Sequence, residues 1–433
     1  MAVSRTSHSD ESPAKSADAH GSAESGGFYR WLLVGVLFCI ACLNYADRGA
    51  LNAVFPLLRK ELGMSDVALA ATSSIFLWTY AILSPLAGYV GDRFSRSSII
   101  VWSLAAWSTV MVLNGLAQTQ GQLLAMRIPL GIAEALYIPA SIALISDHHT
   151  GATRGKAFSI HLCGFYTGNI AGASISGYLG GLYGWRTPQF VLGLIGLGFA
   201  LVASRVLRDA PATGERPQAA ASEAGLLASF KDVARFATYW FLLIDAFLMA
   251  AVMYILSTWL PLYLHEAFRL DLGAAGFQGT FFIMAGSVLG VLIGGAFSDA
   301  VGQNNKRRRM LLQLLASMLS VPLLLVFVLS PSLIVLEAAL FAFAMIRYGG
   351  GANANPLLCD LIPANRRSVA FGVMNLSSCL AGGAGVMIAG ILKAKYELLS
   401  IFASASLILL AAALILWLGY AKFLAKDLDR ASA

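Results

Sequence analysis

Stretches of about twenty or more apolar residues recur from end to end of the chain, and they constrain its fold more than any other feature. A bilayer core of about 30 Å is crossed by roughly 20 helical residues rising 1.5 Å each. The stretches lack the polar/apolar alternation of a barrel wall, so they read as helices. Composition agrees: 12% of the 433 residues are charged and mean hydropathy is +0.72, against about 25% charged residues in a soluble domain. An ordinary soluble enzyme is thereby excluded.

Spans are predicted at about 29–57, 67–90, 98–117, 120–146, 156–182 and 187–207, then at 236–263, 276–299, 310–329, 332–359, 369–392 and 397–424. Six precede a polar break and six follow it. Within that break Arg208, Asp209, Pro211, Gly214, Glu215, Arg216 and Pro217 interrupt the hydrophobicity. The expected fold is an all-α membrane protein of twelve transmembrane helices in two six-helix bundles. Its expected divisions are a disordered cytoplasmic tail (1–27), an N-terminal bundle (28–207), a cytoplasmic linker (208–235), a C-terminal bundle (236–425) and a second cytoplasmic tail (426–433).

Putting the amino terminus in the cytoplasm assigns most of the 30 lysines and arginines to cytoplasmic segments, as the positive-inside rule requires. Both termini of this multi-pass inner-membrane chain are then cytoplasmic. The net charge of +7 is accounted for by topology and anionic lipid, and implies no nucleic-acid partner. Cys39, Cys42, Cys163, Cys359 and Cys379 all fall in apolar runs, where a thiol acts as a small hydrophobe. No metal site is read from them, nor from the adjacent His148 and His149. Motifs for nucleotide binding, zinc hydrolysis or serine hydrolysis are lacking, so the chain is not read as an enzyme.

A short pattern occurs twice, at the same place in each predicted half. Gly88-Tyr89-Val90-Gly91-Asp92-Arg93-Phe94-Ser95-Arg96 follows the second span, and Gly295-Ala296-Phe297-Ser298-Asp299, then Lys306 to Arg309, follows the eighth. Glycine permits close helix approach, and an aspartate at the membrane face answers the positive end of a neighbouring helix. A duplicated carrier half predicts such a repeat. Gly88, Asp92, Arg93, Arg96, Gly295 and Asp299 are therefore read as gating-loop residues.

The first copy resembles the signature loop of the major facilitator superfamily, and the twelve-span plan resembles that fold over nearly the whole chain. Asn44-Tyr45-Ala46-Asp47-Arg48 and Arg127-Ile128-Pro129-Leu130-Gly131-Ile132-Ala133-Glu134-Ala135 resemble two of its groups, the proton-coupled sugar-acid and organic-anion symporters and the spinster-like carriers. Leu58-Arg59-Lys60-Glu61-Leu62-Gly63 is closer to the first group; Pro139-Ala140 with Leu144-Ile145-Ser146-Asp147 is closer to the second.

Asp47, Arg48, Arg127, Glu134, Asp245 and Arg347 fall inside predicted spans, where each charge costs about 2.5–3.5 kcal/mol unless paired or hydrated. Arg127 and Glu134 are two helical turns apart and share a face. Depth along the helices suggests that Asp47 pairs with Arg127 while Glu134 lies deeper. The network either fixes helices structurally or forms a proton relay beside an anion-binding arginine, and the resemblance implies Asp47 and Glu134 as coupling carboxylates. Arg48, Arg127, Arg347, Asn44, Tyr45 and Asn375 are candidate substrate contacts. For Arg347 the alternative is a structural pair with Asp245 or Glu337. The stretch Gly349-Gly350-Gly351 with Asn353, Asn355 and Pro356 should break its helix. Gly164, Gly168 and Gly172, and Gly286, Gly290 and Gly294, are expected to form smooth packing faces that rocking halves need.

These features together predict a monomeric secondary carrier that moves a small organic anion by alternating access. The proton is its coupling ion, no other cofactor is implied, and its partners are the substrate and the bilayer. The alternatives are a spinster-like carrier of a lysolipid or other amphipathic molecule, and an organophosphate exchanger.

Overall fold

The computed structural model describes residues 14–210, 226–302, 305–329, 332–363 and 366–432, and every regular element among them is helical. The N-terminal half comprises α1 (Ala14–Ala53), α2 (Phe55–Leu62), α3 (Asp66–Arg93), α4 (Arg96–Gly115), α5 (Gln120–Ala125), α6 (Arg127–Ala135), α7 (Tyr137–His148), α8 (Arg154–Tyr183) and α9 (Arg186–Val206). After α10 (Leu226–Ala234), the C-terminal half comprises α11 (Ala237–Phe268), α12 (Leu272–Gly302), α13 (Arg307–Leu325), α14 (Leu333–Gly351), α15 (Ala354–Leu361), α16 (Arg367–Lys393), α17 (Leu398–Lys422) and α18 (Leu424–Ser432).

Proline explains why single predicted spans become several helices. It lacks an amide hydrogen and its ring crowds the carbonyl four residues back. Pro129 and Pro139 act on Ala125 and Ala135, the last residues of α5 and α6. Pro356 acts on Ala352, directly after α14, so the predicted break in that span is present. Its freed carbonyls are not left open, because Asn353 Nδ2 donates to the Gly350 carbonyl at 3.1 Å.

Eleven helical stretches among the described residues are long and apolar enough to cross a membrane. The twelfth span is α8, whose polar residues and five buried glycines dilute its hydropathy. Neighbours repeat between halves. α1 packs on α8 as α11 packs on α16, α3 on α6 as α12 on α14, and α4 on α9 as α13 on α17; across the halves α3 meets α16 as α12 meets α8. Even an ion pair repeats: Arg96 with Asp147 in the first half and Arg309 with Asp360 in the second, each spanning 51 residues. The surroundings of Gly88 and the side chains of Asp92 and Asp299 lie outside what is described; Arg93 ends α3, and Gly295 sits on α12 with open space at its Cβ position.

The described residues add helices to the terminal and linker segments and correct the reading of the glycine faces. The stretch expected as a disordered tail contains the start of α1, whose described part begins at Ala14 in an alanine- and serine-rich segment. Part of the linker forms α10, and the last residues form α18, held where Asp427 Oδ2 accepts the Thr238 amide hydrogen at 2.7 Å. The glycine faces serve packing within the halves. Cβ atoms on Gly168 and Gly172 would strike the α1 backbone at Cys42 and Ala46, and on Gly290 and Gly294 the α14 backbone at Met345 and Gly349. The contacts between halves use other glycines: Gly177 and Gly276 on the α8/α12 seam, and Gly383 and Gly390 on the α3/α16 seam.

Because Ala46 precedes two site residues, that packing has a functional consequence. Gly172→Val should cost about 1–3 kcal/mol or more by overpacking and displace Asp47 and Arg48. Gly181→Ala, at a position with nothing within 4 Å, should be neutral. Thermal unfolding of the two purified variants checks this; equal melting temperatures would refute the packing argument.

Candidate functional site

A cavity of about 300 Å³ lies between the halves, walled by α1, α3, α6 and α8 on one side and α11, α12 and α14 on the other. At the end where α1 finishes and α3 begins it is sealed by one apolar core shared by both halves. Phe55 meets Trp259 edge to face at 5.7 Å there, and Leu51, Val54 and Leu69 pack into the same core as Leu256, Tyr263 and Phe402. Elsewhere each half keeps a core largely its own.

Outside the apolar seal lies a layer of charge. Arg59 donates to Asp66 at 2.5 Å and to Glu266 at 2.8 Å, and Lys393 reaches Glu266 at 3.2 Å. The Arg59–Glu266 contact crosses between halves, as does a longer approach of Lys393 to Asp66 at 3.8 Å. Arg59 belongs to the Leu58–Gly63 motif, and Gly63 ends α2 with φ +63°, the left-handed conformation that glycine adopts without strain. Glu61 of the same motif pairs with Arg186 at 2.9 Å.

Four intramembrane charges gather on the N-terminal wall. Arg48 Nε donates to Glu134 Oε2 at 3.0 Å, and its Nη2 approaches Asn44 Oδ1 at 3.4 Å. Its guanidinium lies 4.5 Å from the Tyr45 ring centre, 4.9 Å from Tyr80 and 5.1 Å from Phe76. Aromatic faces attract a cation, so Arg48 is held by one anion and three rings. Arg127, at the start of α6, is 4% exposed and lines the cavity, yet its Nε and Nη2 have no partner. Asp47 is buried with Oδ1 unpartnered, within electrostatic reach of Glu134, Arg127 and Arg48.

The expected Asp47 to Arg127 bond is therefore not made, and Glu134 pairs with Arg48 instead. Asp47 and Arg48 are adjacent, about 100° apart around the helix, so only one of them turns toward Glu134. Of the candidate contacts, Tyr45, Arg48 and Arg127 line the cavity; Asp47, Glu134 and Asn44 stand behind it.

Arg347 is elsewhere. Its Nη2 donates to both Asp245 oxygens at 2.7 Å, and Gln313 Nε2 donates to Asp245 Oδ2 at 2.6 Å. This triad joins α11, α13 and α14 away from the cavity, which is the structural alternative for Arg347. Asn375 likewise lies off the cavity, 3.3 Å from Ser84 Oγ across the α3/α16 seam. Sequence reasoning missed most of the polar lining: Asn52, Thr72, Ser73, Ser257, Thr258 and Thr280. Nothing in a span distinguishes such residues from the many that bond neighbouring helices.

Two six-helix bundles of repeated packing around a central charged cavity define a multi-pass membrane transporter. The chain belongs to the Major Facilitator Superfamily, whose family model matches residues 37–386. It is 26% identical over 379 residues to the probable galactarate/D-glucarate transporter GudP of Bacillus subtilis strain 168, covering 80% of this chain and 82% of that one. The probable sulfoacetate transporter SauU of Cupriavidus necator is 27% identical over 282 residues, covering 63% and 65%. Among solved structures, a bacterial homolog of the human lysosomal transporter Spinster, inward-facing and unoccupied, matches with TM-score 0.80 at 20% identity, covering 92% of this chain and 98% of that one. These relatives are transporters, not enzymes, and a small-molecule substrate follows for this chain.

Proposed function

We propose that the protein carries a small organic anion, such as a sugar acid or another carboxylate, across the inner membrane with proton symport. The observation behind this reading is Arg127, a buried cation at the cavity wall with unpartnered N–H donors. Leaving buried charged donors without hydrogen-bond partners is costly, and an incoming carboxylate supplies the missing partner through short, charge-assisted hydrogen bonds. The names of the relatives, transporters of galactarate, glucarate and sulfoacetate, support an anionic cargo.

Coupling follows from the neighbouring pairs. A substrate carboxylate that competes for Arg127 and Arg48 loosens Arg48 from Glu134. A buried carboxylate without its arginine is costly as an anion and takes up a proton. Asp47 and Glu134 then carry the proton while the substrate holds the arginines, so substrate and proton cross together. With the termini cytoplasmic, as the positive-inside rule favours, the sealed end faces the periplasm and the cavity serves the cytoplasm. The whole cavity belongs to one chain, which suits a monomer.

A hydroxyl- and amide-bearing wall (Asn52, Ser73, Asn169, Ser257) suits a hydrated anion better than a lysolipid chain. Proteoliposomes containing the purified protein, loaded at high pH and diluted into low pH with labelled gluconate, test the reading. Accumulation that collapses with a protonophore is the expected result. Failure to accumulate any of gluconate, galactarate or sulfoacetate, together with lysolipid transfer, would overturn it in favour of the spinster-like alternative.

A further inference from the structure

We propose that the carried anion is charged at one end only: the cavity is built for a hydroxylated monocarboxylate and discriminates against a diacid with carboxylates at both ends. This deepens the organic-anion reading and rests on it.

The cavity is electrically one-sided. Both cations in its lining, Arg48 and Arg127, come from the N-terminal half. The opposite wall presents Tyr254, Ser257, Thr258, Thr280, Met284 and Tyr348, none of which carries positive charge. The mid-span cation that the second half does possess, Arg347, directly precedes Tyr348 in sequence but faces away from the cavity. Its Nη2 is engaged by both Asp245 oxygens, the pair is 2% and 1% exposed, and Gln313 holds the same carboxylate. Bringing Arg347 to the cavity would strand Asp245 as a buried, unpaired anion, which a protein avoids.

The hydroxyls of the opposite wall reinforce this polarity. Thr280 Oγ1 donates to the Gly276 carbonyl at 2.8 Å, and Ser257 Oγ donates to the Tyr254 carbonyl at 3.3 Å. A hydroxyl has one hydrogen to give. With that hydrogen committed to the backbone, each of these two hydroxyls has only acceptor capacity left to offer a ligand. Acceptors suit the O–H groups of a polyol and repel a carboxylate. A substrate lying across the cavity thus meets both positive charges at the Arg48 and Arg127 end, and neutral hydroxyls with apolar surface at the other.

Competition binding on the purified wild-type protein tests the inference, with D-gluconate and D-galactonate set against galactarate and D-glucarate, matched in chain length and hydroxylation. The monoacids are expected to bind about tenfold or more tightly than the diacids, since one unpaired charge is worth at least that factor. Diacids binding as tightly as the monoacids, or more so, would overturn this inference and leave the organic-anion reading standing. Binding by neither class would overturn both. Met284→Lys puts a cation on the neutral wall and should shift the preference toward diacids by about tenfold; an unchanged ratio in the folded variant would also count against the inference. The wild-type comparison decides the matter even where that variant fails to fold.

Discussion

Arg127→Ala is expected to weaken anion binding by about a hundredfold or more, the worth of two charge-assisted hydrogen bonds lost together in a buried site. The fold should tolerate the change better than it would the loss of Arg48. Removing Arg48 leaves Glu134 buried without its partner, a defect of about 3–5 kcal/mol. Arg127 Nε and Nη2 make no hydrogen bond within the protein, so those bonds are not there to be broken. Arg127→Lys keeps the charge but replaces a planar fork with a point donor, and should recover only part of the affinity if the carboxylate is held bidentately. Isothermal titration with gluconate, paired with size-exclusion profiles of each variant, separates binding from folding. Undiminished affinity in folded Arg127→Ala would remove this residue from the substrate site.

That contrast between the two arginines was only partly legible in the sequence. Charges inside apolar spans stand out, so the membership of the cluster could be read from Asp47, Arg48, Arg127 and Glu134. Pairing could not. Position along a span gives depth, but the turn of each helix about its own axis is set by packing, here by Gly168 and Gly172 pressing α8 onto the α1 backbone. Depth alone joined Asp47 to Arg127; rotation joins Arg48 to Glu134 instead. The same limitation applies to Arg347, whose mid-span position fits a substrate contact as well as a buried pair with Asp245.

The architecture was more legible because its signals are local. Apolar length marks a span, proline marks a break, and the duplicated glycine, aspartate and basic pattern marks two halves. The polar cavity lining escaped notice for the opposite reason. Thr280 and Ser257 each donate to a backbone carbonyl of their own helix, as serines and threonines in spans often do. Only their place in the cavity wall between the halves gives them a role. The charged seal was half visible: Arg59 and Glu61 sit in the one motif Leu58–Gly63, whereas Glu266 and Lys393 join it from distant sequence.

Asp47→Asn and Glu134→Gln are expected to abolish gradient-driven accumulation while leaving counterflow exchange of the same anion largely intact. A neutral amide resembles the protonated acid in size and charge, so each variant mimics a carrier that holds its proton permanently. Exchange needs the loaded carrier to reorient in both directions and consumes no proton gradient. Net uptake needs the proton to leave. The two residues should nevertheless differ. Glu134→Gln removes the anion that holds Arg48, releasing that guanidinium to the cavity, so anion affinity should rise at neutral pH and lose most of its dependence on pH. Asp47 holds no arginine by a direct hydrogen bond, so Asp47→Asn should alter affinity less while still uncoupling transport. Paired uptake and counterflow assays in proteoliposomes, with binding measured across the pH range, distinguish these outcomes. Accumulation driven by the gradient in the double variant would exclude both carboxylates from coupling and assign the proton to another group.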